Sequence, residues 1–152
     1  MTAPRTEPEQ PALGRLNDVI GYQLRVAQMR VYGEFPAAGE MEGITPTLFT
    51  IVLLLEANPG LKQSALAAML QVDPSTVVRL IDRLELRGLV QRSASPRDRR
   101  VAAPTLTARG LAFASAAVEA VQRSETDVVF ARLSDQERST LFALLRKANA
   151  AT

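Results

Sequence analysis

Apolar residues recur at every third or fourth position over several long stretches of this chain, the period of a helix with one face turned inward. From Leu13 to Phe35 the series is Leu16, Ile20, Leu24, Ala27, Val31 and Phe35, and Pro36 and Gly39 end it. A second helix is predicted from Thr45-Pro46, with Thr45 as the capping residue and Pro46 at the first helical position, to Asn58-Pro59-Gly60. Its stretch Ile51 to Leu55 is apolar all round, which predicts a buried helix. Lys62 to Leu70 reads as a short helix with Leu66, Ala67 and Leu70 inward, followed by a tight turn at Gln71-Val72. Asp73-Pro74 starts the next helix, which runs to Arg87 with Val77, Leu80, Ile81 and Leu84 inward, and Gly88 closes it.

The period then changes. Leu89 to Arg92 and Arg100 to Leu106 read as two strands around a charged turn, with Pro104 marking the second as an edge. Thr107 caps a long helix from about Ala108 to Arg132, with Leu111, Ala114, Val118, Val121 and Val128 at helical spacing. Ser134 and Glu137 form a capping box for a last helix carrying Leu141, Leu144, Leu145 and Ala148. The predicted order is long helix, helix, short helix, helix, hairpin, long helix, helix. The fold class is mainly α with one small β-hairpin.

Two short helices joined by a tight turn are the helix-turn-helix pattern. Leu66, Ala67, Leu70, Val72, Val77 and Ile81 form its apolar skeleton, which sets the angle at which the second helix projects. The outer face of that helix begins with Ser75 and Thr76 and continues through Val78, Arg79 and Arg83. Hydroxyls at a helix N-terminus reach phosphates or base edges, an Arg forks onto a guanine edge, and Val touches a thymine methyl. Each residue has a mundane alternative: Ser75 finishes a cap, and Arg83 pairs with Asp82 or with solvent. The hairpin tip carries Arg97, Asp98, Arg99 and Arg100, and a narrow minor groove attracts an inserted Arg. Asp98 fits there by holding a neighbouring Arg extended. The alternative is a solvated charged loop.

Charge distribution sharpens this picture where net charge does not. The net charge is only +2, but between Ser75 and Arg100 seven Arg (79, 83, 87, 92, 97, 99, 100) face three acids, a local +4. Between Val31 and Leu61 four Glu stand with no basic residue. A basic stretch within a near-neutral chain is the footprint of a phosphate-binding face. Arg rather than Lys favours planar recognition of phosphate and guanine.

Composition narrows the remaining chemistry. With no Cys and no His among 152 residues, the usual zinc sites, a Cys nucleophile and a Ser-His-Asp triad are all excluded. No glycine-rich phosphate loop occurs, so no cofactor, no metal and no enzymatic activity are expected. Residues 1–12 hold Pro4, Pro8 and Pro11 among polar residues and read as a disordered lead-in without the apolar centre of a signal peptide. No apolar run reaches the roughly 18 residues of a membrane span. The expected location is the cytoplasm.

The run Asp73-Pro74-Ser75-Thr76-Val77-Val78-Arg79-Leu80-Ile81-Asp82-Arg83-Leu84-Glu85, then Arg87-Gly88-Leu89-Val90, Asp98-Arg99-Arg100, and Leu106-Thr107 with Gly110, resembles MarR-family regulators. The resemblance covers about Leu13 to Ala148, with its sharpest motifs in residues 61–110. It implies a winged helix-turn-helix in a homodimer, with a single domain over 13–152. The winged helix would span about 45–107, and the dimerisation helices about 13–36 and 108–150. It further implies binding to a pseudo-palindromic DNA operator, and repression relieved by a small aromatic or phenolic ligand. Under the resemblance Ser75, Thr76 and Arg79 match major-groove contacts, Arg100 the wing arginine and Asp98 its supporting acid. Val78 departs from the Ser or Thr common at its position. The absence of Cys excludes thiol-based redox sensing.

Two features stand apart from the resemblance. The first helix and the last two carry more apolar surface than one small core needs, and a two-fold dimer would bury it; the alternative is a monomeric bundle. Tyr22, Arg25, Met29 and Tyr32 form a second stripe on the first helix, which Phe49 can join. An aromatic, a cation and a soft side chain suit an aromatic acid. The stripe's spacing resembles that of members sensing hydroxycinnamate-type or similar aromatic catabolites, while its plainer reading is core and dimer-seam packing. A different overall function, a winged-helix protein-interaction module without operator binding, would need a neutral recognition face, against which the arginines stand.

Overall fold

The computed structural model describes residues 12–37, 39–94 and 102–150. After a 3-10 turn at Gly14–Asp18 come α1 (Ile20–Gly33), a second 3-10 turn (Gly39–Met41), α2 (Pro46–Ala57), α3 (Gln63–Leu70) and α4 (Pro74–Leu86). Strands β1 (Val90–Ala94) and β2 (Ala102–Leu106) precede α5 (Ala108–Ser124), a π-helical turn (Glu125–Val129) and α6 (Asp135–Asn149).

The core gathers around α2, as its uninterrupted apolar run demands. Leu48, Ile51, Val52 and Leu55 are buried there, against Leu66 of α3, Val77, Ile81 and Leu84 of α4, and Phe113, Ala114 and Ala117 of α5. At roughly 2 kcal/mol for each large side chain buried, this packing far outweighs any single cap. Caps decide where the helices begin. The Thr45 hydroxyl accepts from Leu48 N at 3.3 Å, and the Thr107 hydroxyl from Gly110 N at 3.0 Å. Ser134 and Glu137 complete both halves of the capping box.

The turn between α3 and α4 is set by Gln71 in the left-handed region at φ 53°, the only non-glycine with positive φ among the described residues. That conformation lets Val72 N donate to Ala67 O at 3.1 Å, closing α3 before Asp73 starts α4. Asp73 has the extended backbone of a capping residue but makes no side-chain cap bond. At the far end Gly88 (φ 69°) reverses the chain, and Leu89 N donates back to Leu84 O at 3.0 Å. The two strands then pair antiparallel, with Val90 opposite Leu106, Arg92 opposite Pro104 and Ser93 opposite Ala103. Pro104 lies in a two-stranded sheet, where each strand is an edge, so its missing N–H costs no second ladder.

Three expectations are corrected. The helix expected over Leu13–Phe35 is interrupted: Val19 is extended (φ −96°, ψ 110°) and separates the 3-10 turn from α1. Apolar spacing continues across that break because Leu16 and Ile20 keep a four-residue interval, so the pattern conceals it. The first strand begins one residue and ends two residues later than expected, at Val90–Ala94, while the second, Ala102–Leu106 as described, ends at Leu106 as expected and Arg100 lies outside the described residues. The long helix after Thr107 does not keep its α period to Arg132. The π turn adds one residue to its last turn, which rotates Val129 inward (4% exposed) and leaves Val128, expected inside, 47% exposed.

The terminal helices have little to pack against. Neither α1 nor α6 has a buried residue. Leu16, Ile20 and Leu24 on one side, and Phe142 and Leu144 on the other, are exposed. One strong tie holds α1 to the end of α5: the Ser124 hydroxyl donates to Glu34 O at 2.6 Å.

Candidate nucleic-acid interface

The outward face of α4 is what its buried face leaves over. With Val77, Ile81 and Leu84 fixed in the core, Ser75, Val78, Arg79 and Arg83 are turned to solvent and Thr76 is half-buried. Arg79 is pre-oriented: its Nη2 donates to the Thr76 hydroxyl at 3.2 Å, one helical turn back. Hydroxyls, a methyl-bearing Val and a braced guanidinium thus share one exposed face at the start of the helix. Such a face can fork onto a guanine edge while its neighbours meet phosphate and thymine.

The other arginines of the basic stretch divide by task. Arg83 Nη2 donates to Gly43 O at 3.4 Å and Arg87 Nη2 to Glu40 O at 3.4 Å, so both lean on the connection between α1 and α2. Arg109 of α5 reaches the Glu40 carboxylate at 3.6 Å from the other side. Arg92 of β1 binds two carboxylates on α4, Asp82 at 2.6 Å through Nη2 and Glu85 through Nη1. The Asp82 hydrogen bond raises the Arg92 guanidinium above its ordinary pKa, and the charges of Glu85 and Asp82 add to it against a partial burial cost. Much of the local positive charge is therefore committed within the protein. Asp98, Arg99 and Arg100, the expected wing contacts, lie outside the described residues, as does Arg97.

The base of the hairpin is fixed tightly to α5. The Thr107 hydroxyl donates to Gly88 O at 2.7 Å while accepting from Gly110 N, and Thr107 N donates to Leu89 O at 3.0 Å. Gly110 is pressed onto the chain there: a Cβ at this position would stand 2.0 Å from Leu89 O. The Leu-Thr-x-x-Gly motif is thus a joint between hairpin and helix. Farther out, the Ser93 and Thr105 hydroxyls meet across the strands at 2.9 Å.

The residues expected to receive a small ligand lie on α1 and, for Phe49, on α2. Tyr22 is half-buried, whereas Arg25, Met29 and Tyr32 are exposed on α1. Phe49 packs edge-on against Phe35, with ring centroids 5.7 Å apart. A cavity of about 370 Å³ opens between α1, the π turn and α6, lined by Val31, Glu125, Phe130, Arg138, Leu141 and Phe142 among others. Two further hollows lie beside Glu119–Asp127 and beside Glu40–Phe113. None of the three is lined by Tyr22, Arg25, Met29 or Phe49. Burial pushes the Glu125 carboxyl above its usual range.

Three features of the site escaped sequence reasoning: the Arg92 ion pairs, the close approach at Gly110 and the cavity by the π turn. The first left a trace, since Asp82 and Glu85 stand three apart and so share a helix face. Among the described residues no three Asp or Glu group as a metal site, and no helix is long and apolar enough to cross a membrane.

Comparison with known proteins agrees with this architecture. Residues 44–102, from the start of α2 to β2, match the MarR family. A Thauera aromatica protein described as a transcriptional regulatory protein for the hcr operon is 38% identical over 88% of this chain and 81% of its own. The transcriptional repressor CouR, solved bound to a 23-mer DNA duplex, superposes with a TM-score of 0.77 at 33% identity, covering 92% of this chain and 99% of that one. CouR bound to p-coumaroyl-CoA superposes with a TM-score of 0.73 at 31% identity, covering 93% of this chain and all of that one (100%). The two-helix unit, the hairpin joined through Thr107 and Gly110, and the long flanking helices form a winged helix-turn-helix, and the chain belongs to the MarR family.

Proposed function

We propose that this protein is a homodimeric, sequence-specific DNA-binding repressor that leaves a pseudo-palindromic operator when a small aromatic ligand binds. The observation that carries the reading is the exposed face of α4, where Thr76 braces Arg79 beside Ser75 and Val78 on a helix whose other face is locked in the core. In this reading Ser75, Thr76, Val78 and Arg79 enter the major groove, and Arg83 exchanges the Gly43 carbonyl for a phosphate. Asp98, Arg99 and Arg100 serve the minor groove. The DNA-bound form of CouR supports the arrangement.

The dimer follows from surface left uncovered. Ile20 (77% exposed) and Phe142 (64% exposed) sit on terminal helices with no buried residue of their own, a cost in water that a second copy removes. Two recognition helices related by a two-fold axis then match a palindromic operator. The ligand is an aromatic acid or its CoA thioester. CouR with p-coumaroyl-CoA supports that class, and Tyr22, Arg25 and Met29 of α1 with Phe49 of α2 are the side chains proposed to meet it. The family is one of transcriptional regulators, and no catalytic role is assigned.

Fluorescence anisotropy against the gene's own upstream duplex and a scrambled duplex, across a salt series, tests the reading. Binding about 10³-fold tighter to the upstream duplex, weakening steeply with salt, is expected. Addition of p-coumaroyl-CoA and related thioesters should then release the DNA. Absence of binding even at low salt would overturn the reading and favour a protein-interaction module.

A further inference from the structure

Two acids on α4 need a reason. Asp82 and Glu85 occupy a helix proposed to approach a polyanion, where uncompensated carboxylates weaken binding at no gain. Both are turned toward Arg92, which stands on β1 of the hairpin, with Asp82 at 2.6 Å. The hairpin's base is already held by the Thr107 and Gly88 bonds and by buried Leu89 and Val90. Arg92 lies two residues farther out, on the same face of the strand as Val90, where the next contact that can fix the lean of the hairpin toward α4 must be made. The geometry points to Arg92 as a positioning residue that clamps the wing to the recognition helix through Asp82 and Glu85, rather than as a member of the phosphate-binding set.

The inference rests on the DNA-binding reading above, and it differs sharply from the plain electrostatic expectation. A half-exposed ion pair contributes little to global stability. Its effect here is on the relative placement of two DNA-contacting elements, so binding changes while unfolding hardly does. Because Arg92 touches no phosphate in this scheme, its loss leaves the number of released counterions unaltered. The acids give the opposite sign from simple charge counting. Removing them lowers repulsion from DNA, yet the clamp requires that binding weaken.

The test uses full-length Arg92→Gln, Arg92→Lys and the double variant Asp82→Asn/Glu85→Gln, with wild type in parallel. In anisotropy titrations Arg92→Gln should weaken binding about tenfold, through misplacement of the hairpin against α4, with the salt slope unchanged. The double acid variant should weaken it comparably, and Arg92→Lys, which keeps the charge without the two-armed fork, should fall between. Melting temperatures should stay near wild type. Independently of DNA, hydrogen exchange of the Gln91 and Ser93 amides should quicken in Arg92→Gln while the α2 amides keep their protection. A salt slope reduced by about one in Arg92→Gln would mark a phosphate contact and overturn the proposal, as would tighter binding by the acid variant. Should wild type bind no duplex, the DNA reading fails by itself. The exchange experiment then decides the clamp, and equal hairpin protection in both proteins overturns it.

Discussion

Replacing Gly110 with Ala asks how much the joint between hairpin and α5 matters. An alanine Cβ would lie 2.0 Å from Leu89 O, 3.0 Å from Leu89 C and 3.3 Å from Leu106 Cδ2. Carbon and oxygen approach no closer than about 3.3 Å in ordinary contacts, so the two backbones must part by roughly 1 Å or more. Neither side yields freely. Leu89 is buried and bonded to Leu84 O through its N–H, and its own oxygen accepts from Thr107 N. Parting them forfeits that last bond, at about 1 kcal/mol, on top of about 1–3 kcal/mol for overpacking. The better helix propensity of Ala returns up to about 1 kcal/mol. The net loss is then about 1–3 kcal/mol, or a melting temperature lowered by roughly 2–12 °C for a chain of this size. Circular dichroism melts at one fixed protein concentration measure it, since a dimer's melting point depends on concentration. Gly33→Ala in α1, where a Cβ meets nothing within 4 Å, is the control. If Gly110→Ala melts with wild type and the control, the close approach is not a constraint and the reasoning fails.

Other changes probe different links. Gln71→Gly removes the side chain from a left-handed position and should stabilise by up to about 1 kcal/mol, read as a higher denaturant midpoint at constant slope; a lower midpoint would count against strain in this turn. Burial raises the Glu125 carboxyl in the folded state, so the folded protein holds that proton more tightly than the unfolded chain and the associated stability is lost as pH rises through the folded value. Glu125→Gln should therefore raise the melting temperature at pH 8 more than at pH 5, and an equal gain at both would refute the assignment. Ile20→Glu with Phe142→Glu should convert a dimer into monomers by light scattering and weaken operator binding; a persisting dimer would place the interface elsewhere. Arg79→Ala should cost about 1–3 kcal/mol of specific binding while leaving scrambled-duplex binding nearly unchanged.

Where an element's boundary is made by a few adjacent residues, the sequence displays it openly. Thr45-Pro46, Thr107, Ser134-x-x-Glu137 and Gly88 each act through bonds or dihedrals within four residues, and each stands where expected. Apolar spacing alone is weaker, because it records faces and not backbone continuity. It runs smoothly over the break at Val19 and cannot register the extra residue that the π turn inserts ahead of Val129. Likewise, Gly110 was legible as one residue of a motif, but its reason depends on Leu89, twenty-one positions away in sequence and in contact only after folding.

Charge was the least transparent signal, and the reason lies in the partners. A local sum sets Asp82 and Glu85 against the arginines but does not say which arginine they meet. Here both acids of the helix pair with one guanidinium, Arg92 on the strand. Arg83 and Arg87 are drawn to the carbonyls of Gly43 and Glu40, some forty residues earlier, within the same segment that reads as an acidic stretch. Arg79 alone of these four is braced by its own helix and faces outward without an acid against it. The basic and acidic stretches thus partly complement each other inside one folded arrangement. Under the proposed function, specific recognition rests on fewer, better-placed guanidinium groups than the count of seven suggests. A salt slope for operator binding that required all seven arginines per subunit as phosphate contacts would contradict this division of labour.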